Sequence, residues 1–486
     1  MGILDVSPEE ITGGAIAPAL VALALPLLAQ NLVHVLNQLV DTFWLGRVGE
    51  AEVAAVGLNF PLLAVMFGVT ATATVGTHIL VAQRVGADDA SGARRMTVNG
   101  TLLALGLALV LLAIVVVAGD WITHTLSGPE VGPLAAAYLG IFALFFPFGT
   151  ASDAIEGGFV GWGDTRAALY INLVAVGVNI ALDPFLILGW GPFPALGVEG
   201  AALATGIGYA CAFATGLVLA TGRRDSLRLS RRDLSLSVAD QRELVDIGAP
   251  VSGQQLAGQS ARVAIIGVVA TVGGAAGLAA YTVGARVATI AFVPAAGFGQ
   301  AAQSMVGQNL GADRPDRAHG TISVGVAMAG GALFVVGAIQ WLIPGLLTDV
   351  FVPTLTEAGR VLTVDYLEIL AYSYWAMGVS AVLLAAFNGA SRTRTGFVID
   401  LIKYWGIRIP AAIAALPAAA VVIWGIPLGG LGFGVHAVFW AVTISNVLTA
   451  VGVGIYYHFR HDRMFHNAAM DAADATAEEG TETAAD

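Results

Sequence analysis

Apolar runs long enough to cross a bilayer recur along the whole 486-residue chain, with polar turns between them. A membrane-spanning helix needs about 20 apolar residues. The sequence therefore predicts an all-α polytopic membrane protein with twelve transmembrane helices. The predicted spans are residues 17–46, 54–83, 96–118, 133–159, 167–189, 197–220, 245–271, 278–307, 319–344, 362–388, 396–422 and 431–458.

Composition supports this class and excludes others. The chain is 57% hydrophobic and 12% charged, about half the charged fraction of a soluble protein. One cysteine, Cys211, excludes a disulfide framework and a cysteine metal site. A net charge of −12 argues against a nucleic-acid partner. The segment MGILDVSPEE lacks the basic residues of a cleaved signal peptide, so we expect the first helix to be retained.

Arginine placement predicts the orientation of the spans. Nearly all arginines outside the spans fall in connections on one side, whereas the other side holds only Arg47 and Arg360. The positive-inside rule therefore predicts that both termini lie in the cytoplasm, and we expect the protein to lie in the plasma membrane. The predicted parts are a cytoplasmic N-terminal segment (1–14), an N-lobe of six spans (15–220), a cytoplasmic inter-lobe loop (221–244), a C-lobe of six spans (245–458) and an acidic disordered cytoplasmic tail (459–486).

The two lobes repeat each other at a nearly constant offset of 224 to 228 residues. Pro26 corresponds to Pro250, AQRVGADD (82–89) to GQNLGADR (307–314), and FVGWGDTR (159–166) to FNGASRTR (387–394). Three ordered matches indicate internal duplication, although a chance likeness of glycine-rich turns is the alternative. Six spans per half give parallel repeats, which are typical of transporters.

Two carboxylates lie where hydrocarbon is expected, Asp41 near the end of the first span and Asp183 near the end of the fifth. An isolated charge at the bilayer centre costs about 2.5–3.5 kcal/mol on the mildest scale, so such residues indicate an ion or proton pathway. The corresponding positions of the second half are Ile265 and Ala411. We therefore expect the first lobe to carry the ion chemistry.

Other polar residues share these helices at comparable depth. Asn179 precedes Asp183 by one turn, His34, Asn37 and Asp41 fall on one face, and Thr205 lies in the sixth span. Carboxylate, amide and hydroxyl oxygens suit a small hard cation or a proton held between two acids. The predicted H⁺ or Na⁺ site therefore comprises Asp41, Asn179, Asp183 and Thr205.

Structural alternatives remain for each residue. Asp41 could hold Arg47 near the surface, and Asp183 could bond backbone groups at the bend before Pro184. Asn179 and Thr205 could join helices through hydrogen bonds, and His34 could be a packed ring. Asp153 and Glu156 could lie in the end turn of the fourth span.

These segments resemble the multidrug and toxic compound extrusion (MATE) transporters, in particular archaeal members of the subfamily named for a DNA-damage-inducible protein. The resemblance covers residues 15–458 and rests on NLVHVLNQLVDTFWLGRVGEAEVAAVG, the proline at 26, NIALDP (179–184) and GVEGAALAT (197–205). It implies two pseudo-symmetric six-helix lobes in a V-shape. It also implies a monomeric secondary antiporter without a cofactor, which exports organic, often cationic, compounds in exchange for H⁺ or Na⁺.

The resemblance also implies roles for individual residues. Pro26 would let the first helix bend. The sequence departs from the family pattern at His34, Asn37, Asp153 and Glu156, and the two added acids and the imidazole would raise the resting proton load and favour cationic substrates. The implied coupling site is Asp41, Asn179, Asp183, Thr205 and the Ala201 carbonyl, and the implied cavity residues are His34, Asn37, Tyr138, Asp153 and Glu156.

Three other functions are alternatives. A lipid-linked sugar flippase of the same superfamily would need a basic cavity, to which Arg262, Arg286 and Arg408 could contribute, with Lys403 nearby. A membrane-embedded enzyme finds no support in an HExxH, GxSxG or phosphate-loop pattern. A receptor or structural protein would not explain the repeat and the polar residues within the spans.

Overall fold

The computed structural model describes residues 7–222, 224–351, 355–419, 421–423 and 425–482. Helices make up almost all of this part. They are α1 (Pro8–Gly13), α2 (Ile16–Leu45), α3 (Glu50–Gly86), α4 (Ala90–Trp162), α5 (Thr165–Leu188), α6 (Val198–Thr221), α7 (Val238–Gly311), α8 (Pro315–Leu342), α9 (Pro344–Phe351), α10 (Glu357–Ala371), α11 (Tyr374–Gly389), α12 (Thr393–Leu401), a π-helical segment (Ile402–Arg408), α13 (Ile409–Ile413) and α14 (Val435–Glu482). The strands are β1 (Val421–Ile423) and β2 (Ile426–Leu428).

Within the described residues, nine helical segments are long and apolar enough to cross a membrane, and α10 with α11, bent by 46°, makes a tenth. The other two predicted spans fall on the second half of α7 and on the helical run from α12 to α13. Helix α7 is broken at Gly274, whose φ of 54° and ψ of −152° are not helical. A glycine allows this break because it has no Cβ to clash. The twelve-helix prediction is consistent with this architecture.

The eleventh span is shorter than the sequence predicts. We expected helix over 396–422, but α13 ends at Ile413, and β1 and β2 pair antiparallel with Val422 opposite Pro427. The β-branched run at 421–423 favours a strand, and glycines follow at 429 and 430. The helical prediction for the end of this span was therefore wrong.

The predicted disordered tail also differs from the structure. Helix α14 continues to Glu482, and Phe465, Ala468 and Ala469 are buried. The segment is rich in alanine, the strongest helix former, which explains why it continues the last span. Residues 483–486 of the predicted tail lie outside the described residues.

The turns of the two sequence repeats have the same backbone geometry. Asp88 and Asp313 both adopt left-handed φ values, 62° and 54°. The amide of residue 89 donates to the carbonyl of residue 84 at 2.9 Å, and the amide of residue 314 donates to that of residue 309 at 2.8 Å. The later pair of turns matches as well, with Gly163 at 96° and Ser391 at 55°. The sequence repeat is therefore also a repeat of structure.

Two compact units divide the chain. The first runs to Ser252 and adds Gly307–Arg314 and the end of α14 from Ala468, and the second comprises Gly253–Val306 and Pro315–Asn467. The core of the first unit includes Phe142 and Phe146, and that of the second includes Tyr366 and Phe439.

The connection after α6 belongs to the first unit. Arg95 Nε lies 2.7 Å from Asp240 Oδ2, and Arg224 Nη2 lies 2.7 Å from Asp164 Oδ2. Asn99 also donates to the Ser235 carbonyl at 3.0 Å. These contacts explain why the first unit extends past the predicted lobe boundary at residue 220.

Candidate functional site

Three helices of the first unit bring together the polar residues that the sequence singled out. Helix α2 packs against α5, and α5 packs against α6. Asp41 lies one turn before the end of α2, and Asp183 lies within α5 immediately before Pro184. Because the apolar faces of these helices pack together, the carboxylates come to lie inside the unit.

The carboxyl groups of Asp41 and Asp183 lie within hydrogen-bonding contact of each other. The Asn179 amide donates to Asp183 Oδ1 at 3.2 Å and to Thr205 Oγ1 at 3.4 Å. The Thr205 hydroxyl donates to the Ala201 carbonyl at 3.0 Å. All five residues of the predicted coupling site are therefore neighbours.

Several buried oxygens at this site have no hydrogen-bond donor among the described residues. They are Asn37 Oδ1, Asp41 Oδ1, Asn179 Oδ1 and Asp183 Oδ2. Asp183 is fully buried and Asn179 is 2% exposed. Leaving such acceptors unpaired costs roughly 1–3 kcal/mol each, and more when they are charged. A bound proton or cation would satisfy several of them at once.

Tyr138 lies beside the carboxylates, as the resemblance implied. Its buried ring interacts electrostatically with Asp41 and Asp183. The ring also stacks on Phe142, with 6.2 Å between the ring centroids. The stacked rings of Tyr138 and Phe142 therefore lie on one side of the oxygen cluster.

His34, Asp153 and Glu156 belong to a second polar set nearer the middle of α2. Gln30 donates from its amide to the Glu156 carboxylate. The Nε2 atom of His34 lies 2.7 Å from the Asn172 amide nitrogen, where the donor depends on the tautomer. Asp153 is exposed and interacts electrostatically with Glu156. Among the described residues no hydrogen bond joins this set to the Asp41–Asp183 pair, and Tyr209 interacts electrostatically with both Asp153 and Asp41.

Sequence reasoning missed Gln30 and Asn172. Gln30 precedes His34 by one turn, and Asn172 precedes Asn179 by two turns of α5, so each lies on the polar face already identified. Extending those faces toward the starts of the helices would have found both residues.

Pro26 lies buried inside α2, one turn before Gln30. A proline inside a helix has no amide for the residue four positions earlier, here Ala22, and its ring disturbs that turn. Such positions are where helices bend most readily. The position is therefore suited to a bend between the helix start and the site.

The donor set does not resemble a transition-metal centre. Within the part of the chain that the structure describes, no group of three or more His, Cys, Asp and Glu side chains could hold a metal ion. Two carboxylates with amide and hydroxyl oxygens instead suit a proton or a hard cation such as Na⁺.

A family model described as MatE matches this chain twice, over residues 26–185 and 250–414. The two matched segments begin at Pro26 and Pro250, so they confirm the internal repeat. Together they cover more than half of the chain, and each runs from within the first span of its repeat into the fifth.

Relatives match over nearly the full length. The chain is 28% identical over 416 residues to the probable multidrug resistance protein YoeA of Bacillus subtilis, covering 83% of this chain and 88% of that protein. It is 27% identical over 464 residues to the probable multidrug resistance protein NorM of Pseudomonas syringae pv. tomato, covering 93% and 96%.

A solved structure shares the fold. The outward-facing conformation of a multidrug resistance MATE family transporter of the MOP superfamily superposes with a TM-score of 0.86 at 22% identity, covering 95% of this chain and 99% of that one. The fold, the double family match and the long relatives agree. The chain belongs to the MATE family and is a multi-pass membrane transporter, not an enzyme.

Proposed function

We propose that the protein is a secondary active antiporter that exports organic, often cationic, compounds in exchange for H⁺ or Na⁺. The observation that carries this proposal is the contact between Asp41 and Asp183, together with buried acceptor oxygens that no donor satisfies. Two carboxylates in contact repel each other when both are ionised, so their arrangement favours a shared proton or a cation.

Ion uptake would change the charge of the first unit. A proton or Na⁺ between Asp41 and Asp183 removes the repulsion between the carboxylates and satisfies their unpaired oxygens. Asn179 would follow, because its amide already bonds Asp183 and Thr205. The segment of α2 after Pro26 carries Asp41, so this rearrangement can bend the helix at the proline.

The exposed carboxylate of Asp153 and the half-buried carboxylate of Glu156 supply negative charge away from the coupling pair. A cationic compound would be held by these carboxylates and would contact His34. Loading of the coupling pair would then favour release, because it alters the position of α2, which carries His34. This sequence of events makes import of the ion the driving force for export.

The proposal places the protein in the plasma membrane, with both termini in the cytoplasm as the arginine distribution predicts. One chain contains both repeats, so a monomer suffices for transport. The NIALDP and GVEGAALAT segments support the finer assignment to the archaeal DNA-damage-inducible type. One charge moving through 100 mV supplies about 2.3 kcal/mol, enough for a substrate ratio of tens.

The test is efflux of a cationic dye, rhodamine 6G, from proteoliposomes that contain the full chain. H⁺ and Na⁺ gradients are imposed separately, and Asp41→Asn is compared with wild type. Asp120→Asn is the matched control, because Asp120 is an exposed carboxylate of the same unit. The rate of ion-driven dye efflux is expected to be at least about a hundredfold lower in Asp41→Asn than in wild type, because asparagine carries no charge to pair with the ion.

Transport driven by one gradient and lost only in Asp41→Asn would identify an antiporter and its ion. Efflux that ignores both gradients would contradict antiport. Equal loss in the Asp120→Asn control would show that the effect does not come from the coupling pair.

A further inference from the structure

The spans of the second unit carry cations that the coupling site does not use. Arg262 lies on α7, and Lys403 and Arg408 lie on the π-helical segment Ile402–Arg408. Among the described residues, none of the three forms an ion pair with a carboxylate. Uncompensated cations within a membrane are costly and mark functional sites by default, and π-helical turns occur often at such sites.

Arg408 is held in place by neutral groups. Its Nε donates to Ser445 Oγ at 2.8 Å, and its Nη2 donates to Asn446 Oδ1 at 2.6 Å. The Asn446 amide in turn donates to Ser373 Oγ at 3.2 Å. The Nη1 group of Arg408 has no hydrogen-bond partner in the described part of the chain. The guanidinium is therefore oriented and still has donors to offer.

The depth of this guanidinium argues against a side chain that reaches to the membrane surface. Ser445 and Asn446 lie ten and eleven residues after the start of α14 at Val435. At the rise of an α-helix this is about 15 Å along the axis, near the middle of a hydrocarbon core about 30 Å thick. Arg408 is thus fixed at mid-depth, where a long side chain would otherwise extend outward.

Aromatic rings lie beside the cations. The Tyr404 ring centroid lies 4.9 Å from Arg408 Cζ and 5.1 Å from Lys403 Nζ. Arg262 and Arg408 both interact electrostatically with Tyr281. These rings offer flat apolar surface directly beside the positive charge.

Tyr281 is the first ring of a stacked series. It stacks on Tyr366 with 5.7 Å between centroids, and Tyr366 stacks on Phe439 with 4.3 Å. Arg262 and Arg408 also interact electrostatically with Tyr366. We name the set of Arg262, Tyr281, Tyr366, Tyr404 and Arg408 the basic-aromatic cluster.

The carboxylate of Asp400 does not neutralise these cations. Asp400 is buried and interacts electrostatically with Lys403 and Arg408, but it forms an ion pair with neither in the described residues. Lys403 and Arg408 interact with this carboxylate, and Arg262 adds a further positive charge, so the cations outnumber it. This is the opposite of the first unit, where unpaired atoms are carboxylate and amide oxygens.

We propose that the basic-aromatic cluster binds an organic oxyanion, a carboxylate or a phosphate, carried on an aromatic or apolar body. Planar guanidinium groups match the geometry of carboxylate and phosphate, and the half-buried rings of Tyr281 and Tyr404 can stack on the apolar body. This inference rests on the proposed transport function and extends its substrate class to amphipathic anions and zwitterions. The oxyanion belongs either to a free solute or to a lipid headgroup.

Two dyes with the same ring system and opposite charge test the site. Fluorescein is an anion and rhodamine 6G is a cation, and both carry a xanthene ring. Binding to the purified full chain is measured by fluorescence polarisation for wild type, Arg408→Gln, Arg408→Lys and Arg286→Gln. Arg286 is the matched control, because it is an exposed cation on a span of the same unit. Efflux of each dye is measured in proteoliposomes.

Arg408→Gln is expected to weaken fluorescein binding by about tenfold or more, the loss of one charge-assisted hydrogen bond, and to leave rhodamine 6G binding unchanged. Arg408→Lys is expected to restore part of the affinity, because it keeps the charge without the planar donors. Arg286→Gln is expected to bind both dyes like wild type.

Wild type that exports rhodamine 6G and does not bind fluorescein would overturn the oxyanion site and leave the antiporter proposal standing. An equal loss of affinity for both dyes in Arg408→Gln would also overturn the proposed site. Fluorescein binding without export of either dye would support the site and reject the antiporter proposal.

A polyprenyl diphosphate separates the two sources of the oxyanion. If it displaces bound fluorescein and fluorescein is not exported, the site takes a lipid headgroup. If fluorescein is exported and the lipid does not compete, the site takes a free solute.

Discussion

The two units differ most at positions that the repeat makes equivalent. In the first unit, Asp41 and Asp183 meet within the spans, whereas the second unit has Ile265 and Ala411 at the same places. The turns outside the spans do not differ in this way. The lengths of their backbone hydrogen bonds agree to within about 0.1 Å between the two repeats.

This contrast shows which parts of a duplicated membrane scaffold are constrained. A tight turn is fixed by its backbone conformation, so only residues that tolerate a positive φ fit there. A side chain inside a span is constrained only by packing and by the need to satisfy polar groups. The first unit carries unpaired acceptors, and the second carries guanidinium donors beside aromatic rings.

Helix geometry also differs between equivalent segments of the two repeats. Residues 174–180 of α5 are regular α-helix and include Asn179, whereas the equivalent residues of the second repeat form the π-helical segment that ends at Arg408. The wider π turn changes which side chains project from one face. The two repeats therefore present different chemistry from equivalent segments of helix.

After Asp41→Asn, the largest effect we expect is from Asn179→Ala. The Asn179 amide is the side-chain donor to Asp183 and also contacts Thr205, so its loss leaves Asp183 less supported and removes one candidate ion ligand. The ion concentration for half-maximal dye efflux should rise by about tenfold or more, from the loss of hydrogen bonds to a charged group.

Thr205→Ser is the control for this prediction, because it keeps the hydroxyl that donates to Ala201. Its ion dependence should stay close to wild type. If Asn179→Ala leaves the half-maximal concentration unchanged, the ion chemistry does not reside in the first unit and the contrast between the units fails.

The sequence predicted much of this arrangement, for identifiable reasons. Span number follows from hydrophobic length, and Asp41 and Asp183 stand out because charges are rare in spans. Asn179 and Thr205 followed from helical spacing and depth. The repeat was visible because its turns require particular residues at fixed positions.

Other features depended on tertiary contacts. The pairing of Gln30 with Glu156 joins two helices distant in sequence, and no local pattern indicates which polar faces meet. The π-helical segment and the strands after it were missed, because an apolar run does not reveal how its backbone is hydrogen-bonded. The cations of the second unit were noted, but their aromatic neighbours were not.

A smaller effect concerns Asp89, the N-cap of α4, whose repeat equivalent is Arg314. Burial raises the pKa of the Asp89 carboxyl, but hydrogen bonds from the Gly92 amide and Ser91 and the charge of Arg84 outweigh it, so its pKa lies below the usual value. A lowered pKa gives stability that is present above the unfolded-state value, near 4, and is lost as pH falls through the folded-state value.

Asp89→Ala should therefore lower stability at pH 7 by about 1 kcal/mol, the usual cost of losing an N-cap, and Asp89→Asn should lower it less. The apparent Tm, followed by tryptophan fluorescence in detergent, should depend less on pH below about 4 in both variants than in wild type. An unchanged acid dependence in Asp89→Ala would contradict the assignment of this charge to the cap.

The smallest effect tests whether the turns of the repeats are equivalent in energy as well as in shape. Asp88 and Asp313 are exposed, have left-handed φ values of 62° and 54°, and sit in matching hydrogen-bonded turns. A left-handed conformation costs an alanine roughly 1–2 kcal/mol and a glycine almost nothing. Asp88→Ala and Asp313→Ala should therefore lower the apparent Tm by the same amount, and the glycine variants should stay near wild type. A marked difference between the two alanine variants would mean that the surroundings of the turns, rather than the duplicated backbone, set their stability.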